Sequence, residues 1–223
     1  MNTSDKRNNK RKPWPTKKVM EQIYDQNLWG GNNNEFYSGS GSHNPNIIKP
    51  YLEVIISFLN SFQYPITVLD LGCGDFNVAR QLLTFSKKYI AVDIAENLVN
   101  FNKEKFKQDN LEFYCLDISK ALLPNADVVI LRQVLQHISN EEIQSVLNKL
   151  KEYKYVILTE HLPNQDFVPN IDIISGQGIR IKKQSGLLIT EEPFNFKYRK
   201  QLELQSTILD NNKGVIKTWL YTL

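Results

Sequence analysis

The stretch VLDLGCGDF, residues 68–76, decides the fold. An apolar run ends in two glycines one residue apart, just before a segment of helical character, so it reads as a strand turning sharply into a helix. Gly72 and Gly74 let the backbone bend and a ligand approach with no Cβ in the way, at the carboxyl end of a strand, where open α/β sheets bind ligands. NAD-binding folds use the same turn, but they want a third small residue to close helix onto strand and a pyrophosphate at the helix N-terminus. Here Asn77 holds that place, and Asp70 and Asp75 supply carboxylates that repel a pyrophosphate and suit a cationic ligand without phosphate.

Outward from this stretch, short apolar runs alternate with helical stretches, the pattern of a parallel α/β sheet. Strands are expected at 66–71, 89–94, 111–117, 126–132 and 155–160, with helices at 77–84, 96–107 and 140–152. The strands are continuously apolar and should be buried on both faces. Segments 200–209 and 214–222, parted by DNNKG, read as a closing antiparallel hairpin. Upstream, Thr16 is expected to cap a lid helix carrying Val19, Met20, Ile23, Tyr24 and Leu28, ended by Gly30 and Gly31. A flexible Gly, Ser and Asn loop follows over 30–46, then a helix capped by Asn44 with Pro45 in its first turn and Ile48, Leu52, Ile55, Ile56 and Leu59 on its apolar face.

A chain of 223 residues with 41% hydrophobic and 23% charged residues can bury one substantial core, so a single domain over 16–223 is expected. No apolar run reaches membrane-spanning length and no secretory signal is evident, which points to the cytoplasm. Cys73 and Cys115 have neither disulfide-framework nor metal-ligand spacing, and no metal is expected. The net charge is +3, with seven basic residues against one acid in the first 18. Residues 1–15 read as a basic disordered tail; contact with nucleic acid is the alternative to a solvated arm.

DLGCG resembles motif I of the class I S-adenosylmethionine-dependent methyltransferases, and the resemblance continues in register over about 47–161. It implies a Rossmann-like fold with a seven-stranded, mostly parallel sheet in the order 3-2-1-4-5-7-6, a C-terminal antiparallel hairpin and N-terminal lid helices. It also implies S-adenosylmethionine as cofactor and S-adenosylhomocysteine as product. The implied cofactor contacts are Asp70, Gly72 and Gly74, with Asp93 for the ribose hydroxyls, Ile94 next to it, Asp117 for the adenine amino group and Ile118 on the ring. Arg132, a charge ending an apolar strand, suits a carboxylate of the cofactor's methionine end or of an anionic acceptor, a surface ion pair being the alternative. Singly, each acid has an alternative as a helix cap or turn residue at a strand end.

RQVLQHI, residues 132–138, lacks the Pro-Pro-aromatic turn and Pro-Cys nucleophile of base methyltransferases and is similar to the corresponding segment of small-molecule enzymes. Nucleic acid is therefore not the expected acceptor. O-methylation needs a positioned oxygen and, for an alcohol, a base. The candidates are His137, then His161 and His43. Tyr37 in the lid, Glu160 at a strand end, and Asn170, Asp172 and Arg180 in an acceptor-specificity insertion over 163–194 are candidate acceptor contacts. WGG, SGSGS, RQVLQHISN and TEHLP together resemble methyltransferases of bacterial capsule and surface-polysaccharide gene clusters. That implies a small polar acceptor, a sugar hydroxyl or a phosphate or phosphoramidate oxygen, on a sugar or nucleotide-linked precursor. The rival readings are a catalytically silent cofactor-binding partner module and an NAD-linked oxidoreductase; the oligomeric state is left open.

Overall fold

The computed structural model describes residues 13–31, 35–210 and 213–223. The basic tail falls mostly outside these residues. Seven strands form one sheet in the order β3-β2-β1-β4-β5-β7-β6. They are β1 (Thr67–Leu71), β2 (Lys88–Asp93), β3 (Leu111–Cys115), β4 (Val128–Arg132), β5 (Tyr155–Leu162), β6 (Lys200–Ile208) and β7 (Val215–Thr222). The first five run parallel, while β7 enters antiparallel between β5 and β6. This is the Rossmann-like order expected, with its closing hairpin.

Side chains alternate across each strand, so the sheet feeds two cores. Leu69, Leu71, Val129 and Leu131 face one of them, with Met20, Ile143, Val146 and Leu147. Val68, Ala91, Val128 and Ile130 face the other, with Ile48, Ile55 and Leu59. The helices are α1 (Thr16–Asp25), α2 (Pro45–Asn60), α3 (Glu96–Lys105) and α4 (Asn140–Leu150). The Asn44 side chain caps α2, accepting from the Asn46 N–H, with Pro45 in the first turn. A capping box formed by Ser139 and Glu142 starts α4.

Three local expectations are corrected. Thr16 is the first residue of α1 and not its cap; Pro15 precedes the helix and the Thr16 hydroxyl donates across to Glu142. That helix ends at Asp25, and Leu28 lies beyond it, exposed. Between β1 and β2 the chain forms a 3₁₀ helix, Ala79–Phe85, in place of an α-helix over 77–84. The Asn77 carbonyl takes bonds from the Arg80 and Gln81 side chains, and the Gln81 N–H turns instead to the carbonyl of Val78.

Among the described residues no helix is long and apolar enough to cross a membrane.

Candidate active site

The turn after β1 is held from beneath. Gly72 and Cys73 both donate backbone N–H groups to the Val92 carbonyl, at 2.8 and 2.9 Å, and the Asn102 side chain donates to the Gly74 carbonyl at 2.8 Å. This bend requires φ of +85° at Gly72 and +57° at Gly74, in the left-handed region glycine favours. A Cβ on Gly72 would run into the Val134 side chain, and one on Gly74 into Ser38.

Above the turn, the carboxyl edge of the sheet opens into a cavity of about 330 Å³. Asp70, Gly72, Gly74, Asp93, Ile94, Asp117, Ile118 and Arg132 all line it, so the residues named from the motif converge on one space. Asp117 lies two residues past the end of β3, in the turn that follows.

The carboxylates differ in environment. Asp93 is buried; its Oδ2 accepts from the Gly74 N–H at 3.0 Å and its Oδ1 from the Ala95 N–H at 3.1 Å, leaving lone pairs toward the cavity. Burial raises its pKa against those two bonds. Asp70 is buried with Tyr89 Oη donating at 3.1 Å, and burial pushes its pKa up to about 7. Asp117 is half-buried; burial works against ionisation, yet the bonds from Lys120 and Ser119 hold its carboxyl below the usual range. Ile94, Leu116 and Ile118 add an apolar wall.

This set fits a nucleoside-linked amino acid bearing a cationic centre. Glycines clear room for the backbone approach, a buried carboxylate waits for hydroxyl donors, and aliphatic residues offer a slot for a flat ring. Arg132 brings a cation with no carboxylate partner among the described residues. Its guanidinium donates to the Gly41 carbonyl at 2.7 Å and the Ser42 hydroxyl at 3.3 Å, lies 4.8 Å above the Tyr51 ring, and keeps an unpartnered buried Nε.

The loop after α1 covers the cavity and is tied to the glycine turn through Asp75. Ser38 N–H donates to Asp75 Oδ2 at 2.7 Å, and Asp75 N–H donates back to Ser38 Oγ at 2.8 Å. His43 Nε2 lies 2.6 Å from the same carboxylate, with Tyr37 stacked on its ring at 4.3 Å. Tyr37 and His43 therefore brace the loop from outside the cavity lining, whereas Ser38, Gly39 and Ser42 face in. Tyr24 and Ser38 entered the sequence reading only as an apolar helix position and a loop residue. The available signal was a tyrosine, with its polar tip, among the apolar positions of α1; in the structure its hydroxyl lies 3.1 Å from Ser38 Oγ.

Across the cavity His137 ends a 3₁₀ turn, Leu135–His137, after β4. Its Nδ1–H donates to the Gly176 carbonyl at 3.2 Å, and the Gln136 amide sits 3.3 Å from Nε2. Burial lowers its pKa to about 4, the carbonyl bonds opposing, so it is neutral at physiological pH. Trp29 packs on its ring at 5.2 Å.

The other candidates are placed elsewhere. His161 Nε2 donates to the Lys213 carbonyl at 2.6 Å, outside the cavity lining. Asn170 is buried in its own loop, donating to the Leu188 and Glu192 carbonyls and accepting from Leu188 N–H. Asp172 is exposed and accepts from Asn140 N–H at 2.8 Å. Arg180, fully buried, donates to the carbonyls of Leu135, Gln136 and Ile138 and to Asn140 Oδ1. Glu160 is fully buried with neither oxygen bonded, and burial pushes its pKa up to about 8, with Arg180 opposing. None of these five lines the cavity; from the same insertion, Gln177, Ile179 and Lys182 do.

Comparison with known proteins agrees with this architecture. The family described as "Methyltransferase domain" matches residues 68–153. A malonyl-[acyl-carrier protein] O-methyltransferase of Acetivibrio thermocellus is 33% identical over 86 residues, 37% of this chain and 30% of that protein. Its Bacillus cereus counterpart is 32% identical over 114 residues, 48% of this chain and 42% of that protein. The chain thus spans less than half the length of these curated relatives. Among solved structures, N-methyltransferase NodS from Bradyrhizobium japonicum with S-adenosylhomocysteine superposes with a TM-score of 0.65 at 10% identity, covering 92% of this chain and 98% of that one. Magnesium protoporphyrin IX methyltransferase from Synechocystis with bound S-adenosylmethionine gives 0.58 at 14%, covering 94% and 97%. At such identities these likenesses concern the fold. The matched family spans β1 to the end of α4, so residues 68–153 match a methyltransferase domain, and the complete sheet order gives the chain the Rossmann-like fold of the solved methyltransferases.

Proposed function

We propose that this chain transfers the methyl group of S-adenosylmethionine to an oxygen of a small polar acceptor, and that this oxygen is already ionised when it reacts. In this reading Asp93 takes the ribose hydroxyls, Asp117 the adenine amino group with Ile94 and Ile118 against the ring, and Asp70 and Arg132 the ammonium and carboxylate of the methionine end. Bound there, the cofactor supplies a sulfonium-activated methyl group.

The observation that supports an ionised oxygen is the state of His137. It is the one histidine lining the cavity among the described residues, its Nδ1–H is committed to the Gly176 carbonyl, Gln136 lies against Nε2, and burial holds its pKa near 4. So weak a base removes an alcohol proton poorly. An acid oxygen with a pKa below neutrality needs no base, and catalysis then rests on positioning and exclusion of water. A phosphate or phosphoramidate oxygen on a sugar or nucleotide-linked precursor of a bacterial surface polysaccharide meets that requirement, which favours it over a sugar hydroxyl. The curated relatives are named O-methyltransferases, which supports oxygen as the atom.

The test is methyl transfer from labelled cofactor by purified protein to a panel of sugar phosphates, sugar nucleotides, uronates and the matching neutral sugars, read by mass spectrometry. A methyl ester on an acidic member is the expected product. Transfer to nitrogen, or only to neutral hydroxyls, would overturn the reading; cofactor binding with no turnover on any acceptor would favour a silent partner module.

A further inference from the structure

We propose that Lys182 is an acceptor-specificity residue, its ammonium recognising the anionic group of the substrate at the cavity mouth, with Gln177 and Ile179 completing that wall. This rests on the methyltransferase reading above and goes beyond it by naming the side chain that selects for charge.

The backbone that carries Lys182 is fixed to the wall that carries His137. Gly176 N–H donates to the His137 carbonyl at 2.9 Å, and His137 Nδ1–H donates back to the Gly176 carbonyl at 3.2 Å. Beneath, the buried Arg180 donates to three carbonyls between Leu135 and Ile138. Lys182 follows on the 3₁₀ turn Arg180–Lys183. With about three residues per turn, Ile179 and Lys182 share one side of it, and both line the cavity while Arg180 faces the core.

The charge is free to act. Lys183 donates to the Asp172 carbonyl at 2.8 Å, but among the described residues no hydrogen bond or ion pair reaches the Lys182 ammonium. Glu142 also lines the cavity but forms no ion pair with that ammonium. Its carboxylate is held by the hydroxyls of Thr16, Ser139 and Ser175 and by the Ser139 N–H. The other cavity cation, Arg132, sits beside the glycine turn under the Ser42 loop. An exposed, unpaired ammonium on a rigid segment, facing a cavity otherwise rich in carboxylates, attracts an anion that those carboxylates repel elsewhere.

The experiment is calorimetry on the full chain saturated with S-adenosylhomocysteine, titrated with glucose 1-phosphate, glucuronate and glucose. The parent should bind a charged probe at least about tenfold more tightly than glucose, and added salt should erode the difference. Lys182→Ala should weaken that probe about five- to tenfold while leaving glucose and S-adenosylhomocysteine affinities within about twofold, and Lys182→Arg should restore most of the loss. Unchanged charged-probe affinity in Lys182→Ala, an equal loss for glucose, or no binding of either charged probe by a protein that binds S-adenosylhomocysteine would overturn the proposal. A parent that fails to bind S-adenosylhomocysteine would instead sink the cofactor reading, and this inference with it.

Discussion

His43 Nε2 lies 2.6 Å from Asp75 Oδ2, so the loop that roofs the cavity is fastened to the turn that floors it. The same carboxylate also accepts the Ser38 N–H. Removing it with Asp75→Ala should free the roof without touching the sheet. Amide hydrogen exchange over residues 36–43 should rise by at least about tenfold, and S-adenosylhomocysteine should dissociate faster. Unchanged exchange would mean that the loop is held by its other bonds, those from Arg132 to Gly41 and Ser42, from Asn77 to the Ser42 carbonyl, and from Tyr24 and the residue 75 N–H to Ser38.

Asp70 carries a pH signature. Its pKa in the free protein is raised to about 7, and a ligand ammonium favours the carboxylate, so binding should release a proton. Affinity for S-adenosylhomocysteine should therefore climb between pH 5.5 and 7, by up to about tenfold per unit, and level off above. Asp70→Asn should bind more weakly and with a flatter profile. Calorimetry across that range checks it; identical slopes in parent and variant would remove Asp70 from the ammonium site.

Glu160 sets a stability limit on the alkaline side. Its folded pKa near 8 lies above its unfolded value near 4.5, so the folded state holds the proton more tightly. That contribution is complete below about pH 4.5 and is lost as pH rises through about 8. Between pH 6 and 9 the loss is up to roughly 3 kcal/mol. Glu160→Gln should cancel that part, leaving Tm at pH 9 about 5–10 °C above the parent's relative to their values at pH 6. Parallel Tm curves would show that Glu160 ionises freely.

His137 separates positioning from proton transfer. If the acceptor oxygen is ionised, His137→Ala should raise KM while lowering kcat less than about tenfold, with no limb of the rate profile lost between pH 5.5 and 8. A fall of about 10²- to 10⁴-fold in kcat with a lost limb would make it the general base after all.

Much of this was readable from residues 66–160, and the reason is physical. The parallel strands β1, β2, β4 and β5, buried on both faces, leave long apolar runs, and the bend at Gly72 and Gly74 admits few other residues, so these strands and the edge where Asp70, Asp93 and Asp117 gather follow from pattern. The expectation of two buried faces fails for β3, which lies at the sheet edge and exposes Tyr114. Segment 163–194 has no such period. Polar residues there are as readily used on the chain's own backbone as on a ligand: Asn170 satisfies its loop and Arg180 caps the carbonyls after β4, while Gln177 and Lys182 reach the cavity. The 3₁₀ helix at Ala79–Phe85 was likewise hidden, because side-chain bonds to the Asn77 carbonyl decide it, not periodicity.

The claim on which everything else stands is that the cavity at the carboxyl edge holds S-adenosylmethionine through Asp93. Calorimetric titration of S-adenosylhomocysteine into the parent and into Asp93→Ala, each checked for folding by circular dichroism, tests it most directly. Loss of a charged acceptor for two hydroxyls, at about 1.5–3 kcal/mol per bond, predicts at least tenfold weaker binding in the variant. Equal affinity in a folded Asp93→Ala protein, or no binding by the parent, would contradict it.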